Sequence, residues 1–179
     1  MTLTLDPATV DLTALSVTDL MVLFTQLDAP TIAEMDGEFD ATLLRQPNIA
    51  STVIGAIKVR NPLSPWRAKA FRPIDDTSGR GYNTFRPIFS DTDVQRSPML
   101  TSIAPSRYDG RPAYQLDYTP FDGINGRVNM VDEIRRLRPG VYLGIGTWGF
   151  TDGQRRVPLP FRLVGPARPY TADLGTPRS

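Results

Sequence analysis

VDEIRRLRPGVYLGIGTWGF, from Val131 to Phe150, is the stretch that decides the fold. Two runs of alternating side chains flank Pro139 and Gly140. In extended backbone Asp132, Ile134 and Arg136 share one face, and Val131, Glu133, Arg135 and Leu137 share the other. Beyond the turn, Gly144, Gly146, Trp148 and Phe150 alternate with Val141, Leu143, Ile145 and Thr147. This pattern predicts an antiparallel hairpin. Counting outward from the turn puts Ile134 and Arg135 roughly opposite Ile145, and Asp132 near Trp148. The glycines do not make a dinucleotide fingerprint, because their spacing is wrong and a hairpin follows in place of a βα unit.

The same alternation continues on both sides of this stretch. EFDATLL (38–44) puts Phe39, Ala41 and Leu43 on one side. WRAKAFRPI (66–74) sets Trp66, Ala68 and Ala70 against Arg67, Lys69 and Phe71. SGRG (78–81) reads as a turn, YNTFRPIF (82–89) as a strand and SDTDVQRSP (90–98) as a polar loop. MLTSIAP (99–105) and PAYQLDYT (112–119) pair across Asp109-Gly110, FDGINGR (121–127) is a loop, and VPLPFRLV (157–164) follows a turn at Asp152-Gly153. IASTVIGAIKV (49–59) fits a short helix or a strand bent at Gly55. The sum is a mainly β chain of about eight strands in sequential order, an antiparallel meander that closes into a calycin/lipocalin-like β-barrel. An open sheet packed on N-terminal helices is the alternative.

Ahead of the strands, Ser16 and Asp19 form a capping-box-like start to VTDLMVLFTQL (17–27). Val17, Leu20, Met21, Phe24 and Leu27 fall on one helical face, which packs on the barrel or on a second subunit. Thr31 and Glu34 repeat the cap signature before Gly37. The expected organisation is an N-terminal helical segment over 1–36, a barrel over 37–165 and an extended or disordered tail over 166–179.

Composition narrows the chemistry. The chain has 179 residues, 20 basic and 19 acidic side chains, no His and no Cys. A formal charge of +1 offers no basic field for a nucleic acid backbone. Without His or Cys there is no disulfide, thiolate nucleophile, His-based zinc site or Ser-His-Asp triad. No cofactor or metal is expected. The first twenty residues hold no Lys or Arg and no long apolar run, so they do not read as a signal peptide. With no stretch suited to crossing a bilayer, a cytoplasmic location is expected.

EMDGEFDA (34–41), followed by WRAKAF (66–71), resembles a degenerate form of the opening of the GXWXG/DUF4334 proteins. Those are uncharacterised bacterial lipocalin-like chains that open on a Gly-x-Trp-x-Gly core. VDEIRRLRPGVYLG is similar to their C-terminal strand pair, Asp-x-Ile-Arg and then Leu-Gly. The middle of the chain is unmatched. Phe39 stands where the family has Trp, and Ala41 where it has the second Gly. The resemblance implies a calycin-type barrel and brings no activity with it.

The candidate site residues follow from the strand faces. One of Asp132 and Glu133 must point into the barrel or its rim, where Arg162 or Arg72 could partner it; the alternative is a solvated charged face over 132–138. AYQLDY puts Tyr114, Leu116 and Tyr118 on one face. Asp132, Glu133 and Tyr114 are the acid-base candidates if the protein is an enzyme. Trp148, Trp66, Tyr118, Arg135, Phe39 and Arg162 are the ligand-binding candidates. The functional expectation is a barrel that binds a small hydrophobic, oxygen-bearing molecule. The alternative is a cofactor-independent isomerase, cyclase or decarboxylase, and a third reading is a filled, structural barrel. Neither nucleic acid nor membrane is an expected partner, and a homodimer is compatible with the helical face.

Overall fold

The computed structural model describes residues 5–47, 63 and 65–178. The ambiguous segment over 49–59 lies outside them. Eight antiparallel strands form a closed barrel in sequential order. They are β1 (Gly37–Leu43), β2 (Trp66–Pro73), β3 (Ser78–Phe85), β4 (Val94–Pro105), β5 (Pro112–Asp117), β6 (Val131–Arg138), β7 (Val141–Thr147) and β8 (Leu159–Arg168). The barrel closes where β1 pairs with β8, with Ala41 opposite Leu163 and Leu43 opposite Phe161. The alternative open sheet is therefore not formed.

Several boundaries differ from the sequence reading. SGRG opens β3, and β4 begins at Val94 within the supposed polar loop. A register shift between Gly81 and Asn83 and the positive φ of Ser97 take up the irregularity there. Asp152-Gly153 begins a one-turn helix (Asp152–Arg155), capped by Thr151, rather than a tight hairpin. A second short helix, Ile124–Arg127, lies within the FDGINGR loop. β8 runs on to Arg168, and the tail beyond it is docked: Tyr82 meets Thr171 at 2.7 Å, and Arg72 pairs with Asp173 at 2.8 Å.

The interior divides into two halves. Toward one end, Phe39, Phe71, Tyr114 and Tyr142 form a continuous aromatic plug, each contact in the chain having ring centroids 5.6 Å apart. Ile32 and Met35, from the turn before β1, join the same core. Tyr142 Oη donates to Glu34 Oε1 at 2.9 Å across this end. The capped turn at Thr31 is real, with Glu34 N donating to Thr31 Oγ1, but it does not lengthen into a helix. Gly144 is required by close approach, because a Cβ there would stand 2.1 Å from the ring of Phe161.

Outside the barrel, helix α1 (Val17–Gln26) has the expected capping box of Ser16 and Asp19. Leu20, Leu23, Phe24 and Leu27 pack on Leu137, Leu143 and Ile145, the outward residues of β6 and β7. β6 and β7 are thus covered on both faces, which explains their near-continuous burial. Leu20 and Phe24 are 0% exposed. Leu20→Asp or Phe24→Asp, by burying an unpaired charge, is expected to cost about 4 kcal/mol or more in chemical denaturation. A variant that unfolds with the parent would mean that the helix does not pack here.

Candidate functional site

The other half of the interior holds charge. Lys69 comes from the middle of β2, directly opposite Phe39 on β1 and Asn83 on β3. Its ammonium Nζ donates to Asn83 Oδ1 at 2.9 Å, Tyr118 Oη at 2.5 Å and Asp132 Oδ2 at 2.8 Å. Tyr118 Oη also accepts from Asn83 Nδ2 at 3.1 Å and donates to Asp132 Oδ2 at 3.2 Å. Trp66, Tyr118 and Phe161 surround Nζ, with ring centroids 5.2 to 5.3 Å away. Such a cage stabilises a cation through the ring quadrupoles.

All three hydrogens of the ammonium are used, yet one acceptor is left over. Asp132 Oδ1 is buried and has no partner among the described residues. It faces Gly146, where a Cβ would stand 3.2 Å from Oδ1, closer than a side chain ordinarily comes, so the missing side chain lets the carboxylate sit against the β7 backbone. Burial pushes the Lys69 amine below its usual value, and the Asp132 charge and hydrogen bond draw it partly back. The Tyr118 phenol rises well above its usual value through burial and the Asp132 charge, so it stays protonated.

A register shift builds this cluster. Between Trp66 and Ala68, β2 carries one residue more than β3, with Trp66 opposite Phe85 and Ala68 opposite Thr84. The extra residue reverses the alternation, so Trp66 joins Lys69 on the inward face instead of siding with Ala68. Its ring stands edge-on to Phe161, 5.6 Å between centroids. Trp66 is only half-buried and is the most exposed member of the cage.

The predicted residues divide between the two faces. Asp132, Tyr118, Trp66, Tyr114 and Phe39 point inward; the first three meet at Lys69, whereas Phe39 and Tyr114 belong to the aromatic plug. Tyr114 Oη donates to Thr101 Oγ1 at 2.9 Å, and Thr101 also comes from the wall. Asp132 is partnered by Lys69, not by Arg162 or Arg72. Arg72 is turned outward onto Asp173, and Arg162 lies opposite Thr42 and Leu143 on the outer face. Glu133 is also outward, though fully buried, and accepts from Ser106 Oγ at 2.5 Å and Arg107 N at 2.9 Å. Trp148 lies past the end of β7, and a bulge between Arg136 and Arg138 shifts the hairpin so that Asp132 faces Gly146. The solvated charged face is not formed over Asp132, Glu133 and Arg135, all of which are buried.

Arg135 is a structural anchor. It donates two hydrogen bonds to Asp109, both 2.7 Å, and a third to Phe24 O at 2.8 Å, with its guanidinium 4.6 Å from the Phe24 ring centre. Lys69 and Asn83 were the members missed in the sequence. The available signal was a lysine at an inward position of an alternating strand, flanked by alanines and an aromatic.

An open groove of about 890 Å³ runs along the tail past Arg72, Arg168 and Tyr170. Its arginines are already paired with Asp173, Glu38 and Asp40. No group of three or more carboxylates among the described residues is placed to hold a metal ion. Among the described residues, no helix is long and apolar enough to cross a membrane.

No protein-family model matches the chain, and no curated protein matches it. Among solved structures, a protein from Thermomonospora curvata is 17% identical and aligns over 84% of this chain and 87% of its own, with a TM-score of 0.46.

The Arg135 guanidinium holds the Asp109 carboxyl below its usual value of 3.8. A lowered folded pKa adds stability that is complete above the unfolded value and is lost as pH falls through the folded one. Asp109→Asn is therefore expected to cost about 3 kcal/mol at pH 7, where Arg135 would be left buried without its counter-charge. The deficit should be smaller at a pH well below the ordinary carboxylate range, where the parent's own Asp109 becomes protonated. An equal deficit at both pH values would refute this role of the pair.

Proposed function

We propose that this protein is a small-molecule-binding barrel of the calycin type, and that its ligand, an apolar body carrying an oxygen, is held at Lys69, Tyr118 and Asp132. The observation that carries this reading is a buried ammonium–carboxylate pair inside the barrel, among Asn83, Tyr118 and aromatic rings, with Asp132 Oδ1 left without a partner among the described residues. Such a pair adds little stability over apolar side chains of the same volume, so folding alone gives poor reason to keep it. Strongly perturbed titratable groups in enclosed sites favour a functional role. Trp66 and Phe161 supply apolar walls, and Lys69 and Tyr118 supply groups that orient an oxygen.

The calycin-type kinship draws support from the places where the resembling motif falls. Gly37 has φ 114° and packs within 3 Å of Pro166 at a would-be Cβ, a position that excludes other residues. Phe39 takes the inward aromatic place at the centre of the plug.

The second reading is a cofactor-independent isomerase, cyclase or decarboxylase on the same residues. It is favoured by the depressed Lys69 amine beside a protonated phenol and a carboxylate, three proton-transfer groups within 3.2 Å of one another.

The test uses Trp148→Phe as background, so that Trp66 alone reports. In it, 4-phenyl-2-butanol, an apolar body with one hydroxyl, is expected to change Trp66 emission saturably. The double variant Lys69→Met, Asp132→Leu is expected to unfold at the parent's stability or up to about 4 kcal/mol above it, with the emission change abolished. A double variant much less stable than the parent, or one that keeps the full response, would contradict the reading.

A further inference from the structure

The chain contains 18 arginines and only two lysines, Lys58 and Lys69. The charged contacts described outside the barrel are made by arginine: Arg135 to Asp109, Arg168 to Glu38, Arg86 to Asp93, Arg111 to Asp28. Arginine cannot give up its proton near neutral pH, whereas a lysine amine can. Among the described residues, the cation placed inside the barrel is a lysine. Its Nζ lies 2.8 Å from a carboxylate oxygen able to take the proton. Transfer of that proton to Asp132 would remove both charges from the low-dielectric interior and expose the amine lone pair.

The surroundings of Nζ suit the product of one reaction in particular. Three aromatic rings within 5.3 Å of Nζ favour a cation there whatever its substituent. The carboxylate beside it would serve as counter-ion. Its second oxygen, Oδ1, has no hydrogen-bond partner among the described residues and faces Gly146.

We propose that Lys69 is a covalent site, at which its amine condenses with the carbonyl of an aldehyde or ketone to form an imine. This rests on the ligand site proposed above and names the ligand class. The neutral amine attacks the carbonyl carbon, and a carbon–nitrogen bond forms. One amine hydrogen and the proton held by Asp132 go to the carbonyl oxygen, which leaves as water. The product is a protonated imine beside the Asp132 carboxylate, so atoms and charge balance. Asp132 is the acid of the dehydration, and Tyr118 and Asn83, within 3.1 Å of each other, position the nitrogen.

The full chain is treated with trans-cinnamaldehyde, and separately with 4-phenylbutan-2-one, in sodium cyanoborohydride, which reduces an imine to a stable secondary amine. Peptide mass spectrometry then locates the adduct. With only two lysines and the N-terminal amine available, assignment is unambiguous. Lys69 is expected to be labelled at least tenfold faster than Lys58. Asp132→Asn should slow labelling at 69 at least tenfold without slowing it at 58. Lys69→Arg, which keeps the charge, should fold and carry no adduct at 69. Labelling of Lys58 or the N-terminus without Lys69 overturns the proposal. If 4-phenyl-2-butanol still changes Trp66 emission in that case, the ligand site stands and only the covalent step falls. If it does not, both fall.

Discussion

The pairing of β1 with β8 is the constraint on which the rest depends. It makes a closed wall from strands that as an open sheet would leave one face wet. Closure removes water from the space between Phe39, Lys69, Asn83 and Asp132, and a lysine in dry surroundings behaves differently from one at a surface. The irregularities serve the same end. The extra residue in β2 turns Trp66 onto the inner face, and the bulge before Arg138 sets Asp132 opposite Gly146. Without either, the cage or its carboxylate would be misplaced.

Charge is sorted by side of the wall. Outside, Glu133 and Arg135 are buried beneath a loop and helix α1, yet each is met by several hydrogen bonds that tie one element to another. Ser106 and Arg107 hold the β4–β5 connection to β6, and Arg135 joins that connection to the end of α1. Inside, the hydrogen bonds of Lys69 converge on three groups and, among the described residues, leave Asp132 Oδ1 without a hydrogen-bond partner; outside, Arg107 Nε, Tyr108 Oη and Arg162 Nε are left likewise. Asp132 Oδ1 differs from these in being a carboxylate oxygen inside the closed wall, an acceptor that a ligand can use.

Much of the fold was legible in the sequence, and the misreadings have local causes. Alternation set Tyr114 and Tyr118 on one face and sent one of Asp132 and Glu133 toward the interior, and the capping box at Ser16 marked α1; that the inward carboxylate is Asp132 comes from the closed barrel. Alternation failed at Trp66 and beyond Arg136 because a bulge reverses phase without changing composition. It was misleading for Glu133 and Arg135, since charged residues on a strand read as exposed until a helix is known to cover them. Arg162 and Arg72 were proposed as partners of the inward carboxylate because arginine is the commoner choice for a buried pair. Lys69 escaped because a single lysine in a strand is ordinarily a surface residue; only closure of the barrel and the Asp132 register give it meaning.

The central claim is that the Lys69 half of the barrel is built to hold a small molecule. Native mass spectrometry of freshly purified protein, followed by solvent extraction, tests it most directly. The account expects a stoichiometric excess mass on the parent chain, carried by an apolar, oxygen-bearing compound, and its absence from the Lys69→Met, Asp132→Leu variant purified alongside. A parent and variant that both fly at their bare chain masses, or that carry the same compound equally, would contradict it.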